Sequence, residues 1–116
     1  MIIYNITVNV TIHAHDLWMK WLQEEHLPEI MATNAFYDVK IYQLINVDDI
    51  DGPTYSVQLY AKSMKEYDLY IQDFAPALRS KSVYKWGNDM FSFRTTLQSV
   101  PYDYKENQLQ NLNYQG

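Results

Sequence analysis

MIIYNITVNVTIHAHDLWMKWLQEEHLPEI, residues 1–30, decides the fold, because its hydrophobic period changes partway along. Ile2, Tyr4, Ile6, Val8, Val10 and Ile12 are apolar at every second position, with Asn5, Thr7, Asn9 and Thr11 between them. Successive side chains of a strand point to opposite faces, so this is a first strand with one buried face. From about Asp16 the spacing turns helical. Leu17, Trp18, Trp21 and Leu22 fall on one side, and Glu25 and His26 carry the stripe on in polar form. Pro28 has no amide to donate and crowds the preceding turn, which predicts a kink or restart there and a helix end near Thr33 and Asn34.

Outward from this stretch, residues 36–47 are rich in β-branched and aromatic side chains and stop at the turn sequence Asp48-Asp49-Ile50-Asp51-Gly52-Pro53. Residues 55–61 supply the other strand of a hairpin. Ser63-Met64-Lys65-Glu66 has the form of a capping box, in which the Ser63 hydroxyl and the Glu66 carboxylate each satisfy a free amide at a helix start. Tyr67, Ile71, Phe74 and Leu78 continue that helix's apolar stripe, Pro76 interrupts it, and Gly87 predicts its stop. Residues 90–100 read as the last strand, alternating Phe91, Phe93 and Leu97 with Ser92, Arg94, Thr96 and Gln98.

The order β, α, β, β, α, β, closed by right-handed crossovers, predicts an α+β fold of ferredoxin-like type: a four-stranded antiparallel sheet with both helices on one face. Glu25-His26-Leu27-Pro28 and Asp73-Phe74-Ala75-Pro76 form a faint internal repeat of the kind that fold's pseudo-two-fold produces. With 116 residues there is material for one core and not for two, so residues 1–100 are expected to form a single domain and residues 101–116 a polar tail.

Composition narrows the function classes. The chain is 47% hydrophobic, with eleven Tyr and three Trp, which supplies the core that a disordered chain lacks. No cysteine is present, so thiolate catalysis, disulfides and cysteine-bound metals have no side chains to use, and a reducing, cytoplasmic setting is expected. The first residues resemble neither a signal peptide nor a spanning helix. Nine basic against fourteen acidic side chains give 9 − 14 = −5, a charge that repels phosphate backbones and speaks against a nucleic-acid partner. The βαββαβ order is shared with RNA-recognition domains, but that charge, and a Tyr4 directed to the helix side, oppose the reading. Phosphate-binding Gly-rich loops, nucleophile elbows and HExxH helices are absent, and no resident cofactor or metal is indicated.

The side of the sheet away from the helices is expected to carry Asn5, Thr7, Asn9, Lys40, Tyr42, Ser56, Gln58, Tyr60, Ser92, Arg94, Thr96 and Gln98. Only Lys40 and Arg94 in that set are charged, which is few for a freely solvated face. One reading is a sheet-to-sheet homodimer interface enclosing a polar ligand; the other is an ordinary wet surface rich in amides and hydroxyls.

A resemblance adds to this. Met1-Ile2-Ile3-Tyr4-Asn5, His15-x-x-Trp18-x-x-Trp21, Glu25-His26-x-Pro28, Tyr55-Ser56-Val57-Gln58, Ala75-Pro76-x-Leu78-Arg79 and Phe93-Arg94-Thr95 together look like a family of small bacterial proteins carrying a domain of unknown function, over about residues 1 to 100. The resemblance implies the fold of the dimeric α/β-barrel proteins, a group that includes antibiotic-biosynthesis-type monooxygenases, haem-degrading enzymes and stress-response barrels. It implies a dimer, no particular chemistry and no catalytic residue.

Among individual residues His26 is the leading candidate, as general base or haem ligand of a cofactor-independent monooxygenase or haem-handling enzyme; the alternative is a helix-end imidazole hydrogen-bonded to a carbonyl and packed on tryptophan. Glu25 reads as a structural partner of Arg94 or Arg79, or as a cleft carboxylate. His13 and His15 are two apart at a strand end, a spacing that suits either a metal or a solvated turn with His15 or Asp16 capping the helix. Trp18, Trp21 and Trp86 either line a pocket or build core. Asn5, Arg94 and Tyr60 complete the candidate ligand-binding set. A dimeric protein binding a small molecule or a protein partner is the function this favours.

Overall fold

The computed structural model describes residues 1–106. Strand β1 (Ile2–Val10) is central, pairing antiparallel with β3 (Thr54–Ala61) on one side and β4 (Met90–Gln98) on the other, while β2 (Asp38–Gln43) pairs with β3. The order β2-β3-β1-β4 is that of the expected ferredoxin-like α+β fold. Alternation in β1 and β3 buries Ile2, Tyr4, Val8 and Val10 with Tyr55, Val57, Leu59 and Ala61. Helices cover that face: α1 (His15–Trp21), a π-helical segment (Leu22–His26) and α2 (Leu27–Met31) follow β1, and α3 (Met64–Asp73) and α4 (Ala75–Trp86) follow β3. Trp18, Leu22, Leu27 and Ile30 from the first group meet Tyr70, Ala75 and Leu78 from the second in one core.

The two prolines act differently. Ahead of Pro28 the chain stays helical but widens, and the Leu27 amide donates to the Leu22 carbonyl five residues back. The wide turn moves carbonyls away from the proline ring, so the expected kink takes the form of a π segment. Near Pro76 the helix breaks fully at Phe74 (φ −121°, ψ −39°), giving two helices where one interrupted helix was predicted. The break rotates the stripe: Tyr70 is buried in it, while Phe74 is 40% exposed. Leu17, expected on the apolar side of α1, is 69% exposed. Ser63 is the extended residue before α3, but its hydroxyl donates to the Glu66 carboxylate and accepts no amide, so the reciprocal capping box is not formed. Ala14, with no side-chain cap, precedes α1, and His15 engages Tyr55 instead of capping.

Glycine is required at two points. Gly87 ends α4 with φ +50°, and Gly52, φ +149°, lies so close to the end of β1 that an added Cβ would be 1.9 Å from the Val10 carbonyl oxygen.

Strand β4 overturns one expectation. Ser92 pairs with Val8, Arg94 with Ile6, Thr96 with Tyr4 and Gln98 with Ile2, and directly opposed residues of antiparallel strands share a face. Those four polar residues therefore lie on the helix side, and Phe91, Phe93 and Leu97 lie on the open side, where they are 72%, 54% and 46% exposed. A one-residue shift of pairing exchanges every side chain between faces, and pairing with β1 fixes the outcome against the hydrophobic pattern of β4 itself. The rest of the open face is as expected, with Asn5, Thr7 and Asn9 opposite Gln58, Ser56 and Thr54, and Lys40 and Tyr42 opposite Gln58 and Ser56. A side-chain ladder crosses it: Tyr60 donates to Gln58 (2.7 Å), Gln58 to Ser56 (3.4 Å), Ser56 to Asn5 (2.5 Å), and Asn5 to Thr7 (3.2 Å) and Thr95 (3.1 Å). Of the predicted tail, residues 107–116 lie outside the described residues.

Candidate ligand cleft

Where β1 and β4 run under the helices, the two layers do not close completely. Tyr4, Ile6, Ser92 and Arg94 form the floor of a cleft, Trp18, Trp21 and His26 one wall, and Leu78, Arg79 and Ser82 of α4 the other. The interior has about 40 Å³ of free space, and the cleft reaches about 560 Å³ when its open mouth is included. Ala75, Leu78, Arg79 and Ser82 all reach the cleft because spacings of three and four residues share one helix face.

The π segment shapes the first wall. In a regular α-helix residues five apart are separated by about 140° around the axis. The widened turn reduces that angle, and the Trp21 and His26 rings stack at 4.4 Å between centroids, 16° between planes. Burial lowers the His26 pKa to about 4, helped by the nearby Arg94 and Lys81 and opposed by Glu29. The ring is therefore neutral at pH 7, and it has no hydrogen-bond partner among the described residues.

Among the described residues the polar groups of the cleft are mostly donors, and Trp18 and Arg94 have no protein acceptor. Trp18 is 1% exposed, and its indole N–H is unpaired among the described residues. Arg79 donates from Nη2 to the Tyr4 hydroxyl at 3.3 Å. Among the described residues, neither Arg79 nor Arg94 forms an ion pair and no Asp or Glu lines the cleft. Burial raises the Tyr70 pKa, so its hydroxyl stays protonated. Such a site can take a small acceptor-bearing molecule, and a neutral imidazole beside it can accept a proton.

The sequence candidates thus divide between two faces. Trp18, Trp21, His26 and Arg94 come together in the cleft, while Asn5 and Tyr60 lie in the ladder on the open side of the sheet. Glu25 is exposed, alongside Trp86 and Lys85 on the outer side of the helix, and pairs with neither Arg94 nor Arg79. Trp86 packs edge-on against Trp21 at 5.6 Å. His13 and His15 diverge: His13 lies 3.0 Å from Asp89, and His15 lies 2.6 Å from the Tyr55 hydroxyl and 2.9 Å from Asp16. Sequence reasoning missed Tyr4, Ser92 and Arg79 as cleft residues. For Arg79 a signal existed in its place one residue after Leu78 and four before Val83 on an otherwise apolar helix face; for Ser92 the strand pattern pointed to the wrong side.

Comparison with known proteins places this architecture. A family model described as "Domain of unknown function (DUF4286)" matches residues 1–100, and the chain belongs to that family. Among solved structures, a protein described as of the ethyl tert-butyl ether D (EthD) family, from Bacillus halodurans C-125, superposes with a TM-score of 0.62 at 9% identity, covering 86% of this chain and 100% of its own. At that identity the likeness shows the shared fold. No curated protein matches the chain. No helix among the described residues is long and apolar enough to cross a membrane.

Proposed function

We propose that this protein is a homodimer that binds a small molecule in the cleft between sheet and helices. The observation that carries the reading is an open cleft into which Arg79 and Arg94 are brought with no ion-pair partner among the described residues. A charged donor that water only partly reaches is stabilised by an acceptor of opposite charge, which a bound molecule supplies.

Dimerisation is supported by the open sheet face, where Phe91, Phe93 and Leu97 border a polar ladder that satisfies much of its own hydrogen bonding. An apolar margin beside a self-satisfied polar centre suits a second copy packed face to face better than it suits water. A second reading is an enzyme in which His26 takes a proton from the bound molecule, favoured by its place in the cleft wall with no hydrogen-bond partner among the described residues and opposed by the burial that lowers its pKa to about 4 and weakens it as a base. Haem handling is less well supported, since an interior of about 40 Å³ leaves no room for a macrocycle unless the helices move.

Native mass spectrometry of the freshly purified chain tests the proposal. The expected spectrum is a dimer carrying extra non-covalent mass that is lost on denaturation, and loss of dimer in Phe93→Asp. A monomer with no bound mass would overturn both halves of it.

A further inference from the structure

Fourteen acidic side chains outnumber nine basic ones in this protein, yet among the described residues the cleft is lined by arginines and by no carboxylate. Arg94 enters from the sheet and Arg79 from α4, so the two guanidinium groups reach the same space from opposite layers. Excess acid elsewhere on the chain makes a pair of arginines without an acidic partner harder to explain as chance. Arg94 is half-buried, and a partly desolvated charge is unfavourable unless something of opposite sign meets it; the fork of a guanidinium matches the two oxygens of a carboxylate. Around them the walls are flat and aromatic, with Trp18, Trp21 and Tyr4.

Resting on the cleft reading above, we propose that the ligand is a small carboxylate with a flat apolar body, its anion held by Arg79 and Arg94 and its body lying in the open mouth of the cleft against the Trp21 ring, since an interior of about 40 Å³ does not enclose it. A phosphate ester fits less well. Phosphate sites usually add a row of backbone amides from a Gly-rich loop, and no glycine lines this cleft among the described residues. The Tyr4 hydroxyl, which accepts from Arg79, can donate its own proton to a carboxylate oxygen.

The test is a fluorescence titration of the full chain, following its tryptophans, with benzoate, benzamide and inorganic phosphate as probes. Benzoate is expected to bind at least about tenfold more tightly than benzamide, and phosphate not to displace it. Arg94→Gln is expected to weaken benzoate by about tenfold or more and to leave benzamide unchanged, which removes the preference. Arg79→Gln, at an exposed position, repeats the test if the Arg94 variant fails to fold. Equal binding of benzoate and benzamide, or arginine variants that leave benzoate unchanged, would overturn the carboxylate while leaving the cleft reading in place. Displacement of benzoate by phosphate would overturn it in favour of a phosphate ligand. Failure of both aromatic probes to bind would count against the cleft itself.

Discussion

His26 is a histidine that the fold keeps uncharged. Its ordinary pKa of 6.5 falls to about 4, chiefly through burial, with Arg94 and Lys81 adding to the effect and Glu29 opposing it. Above pH 6.5 the ring is neutral in both folded and unfolded chains, so its titration has no effect on stability. Below that, the unfolded chain takes up a proton that the folded ring refuses, and stability falls as the pH drops toward 4, by up to about 3 kcal/mol. Urea midpoints recorded between pH 8 and pH 4 should show this loss, and His26→Gln should flatten that part of the profile; a parallel profile for the variant would mean the ring is not desolvated. Gly52 has a sharper requirement. Gly52→Ala sets a methyl 1.9 Å from the Val10 carbonyl oxygen at φ +149°, and a loss of more than about 2 kcal/mol in the thermal or urea transition is expected. At this scale the sequence singled out His26, Trp18, Trp21 and Arg94. It could not show that they share one cleft while Asn5 and Tyr60 do not, because that depends on which face of the sheet each strand presents.

Among the elements, β1 and β3 were legible because their alternation agrees with their pairing, and β4 was not. Its apolar residues Phe91, Phe93 and Leu97 face away from the helices, and Arg94 and Ser92 face the cleft. An edge strand over an incompletely closed core can carry polar side chains inward, and only the register with β1 reveals it. The first helix was legible as a helix but not as a π segment, since widening the turn changes no residue type. Pro28→Ala restores an amide and removes the ring that favours the wide turn. We expect that variant to keep its helical content and to stay within about 1 kcal/mol of the parent in urea, with changed tryptophan fluorescence as the stack of Trp21 on His26 loosens. Unchanged fluorescence would show that packing on Trp86 and the sheet, and not Pro28, sets the segment.

For the whole molecule, length, alternation and element order were enough to give the fold, and charge and composition bore on the partners without naming the ligand. The cleft arises between a sheet layer and a helix layer contributed by elements spread along the chain, so no contiguous motif records it. Residues 1–100 are proposed as the folding unit, closed by the Ser99 amide donating to the Met1 carbonyl at 3.0 Å. A chain ending at Val100 should therefore melt within a few degrees of the parent, as followed by circular dichroism; a collapse of the transition would assign the remaining residues a structural part. The most direct test of the central claim is a proton–nitrogen NMR titration of the full chain with benzoate, watching the indole N–H signals of the three tryptophans and the backbone amides of the sheet. A ligand in the cleft should shift the indole signals of Trp18 and Trp21, whose rings line it, and the amides around Arg94, while the side-chain amide signals of Asn5 and Gln58 on the open face stay in place. Shifts confined to Asn5, Gln58 and their neighbours, with Trp18 unmoved, would put the ligand on the sheet's open face and contradict the account.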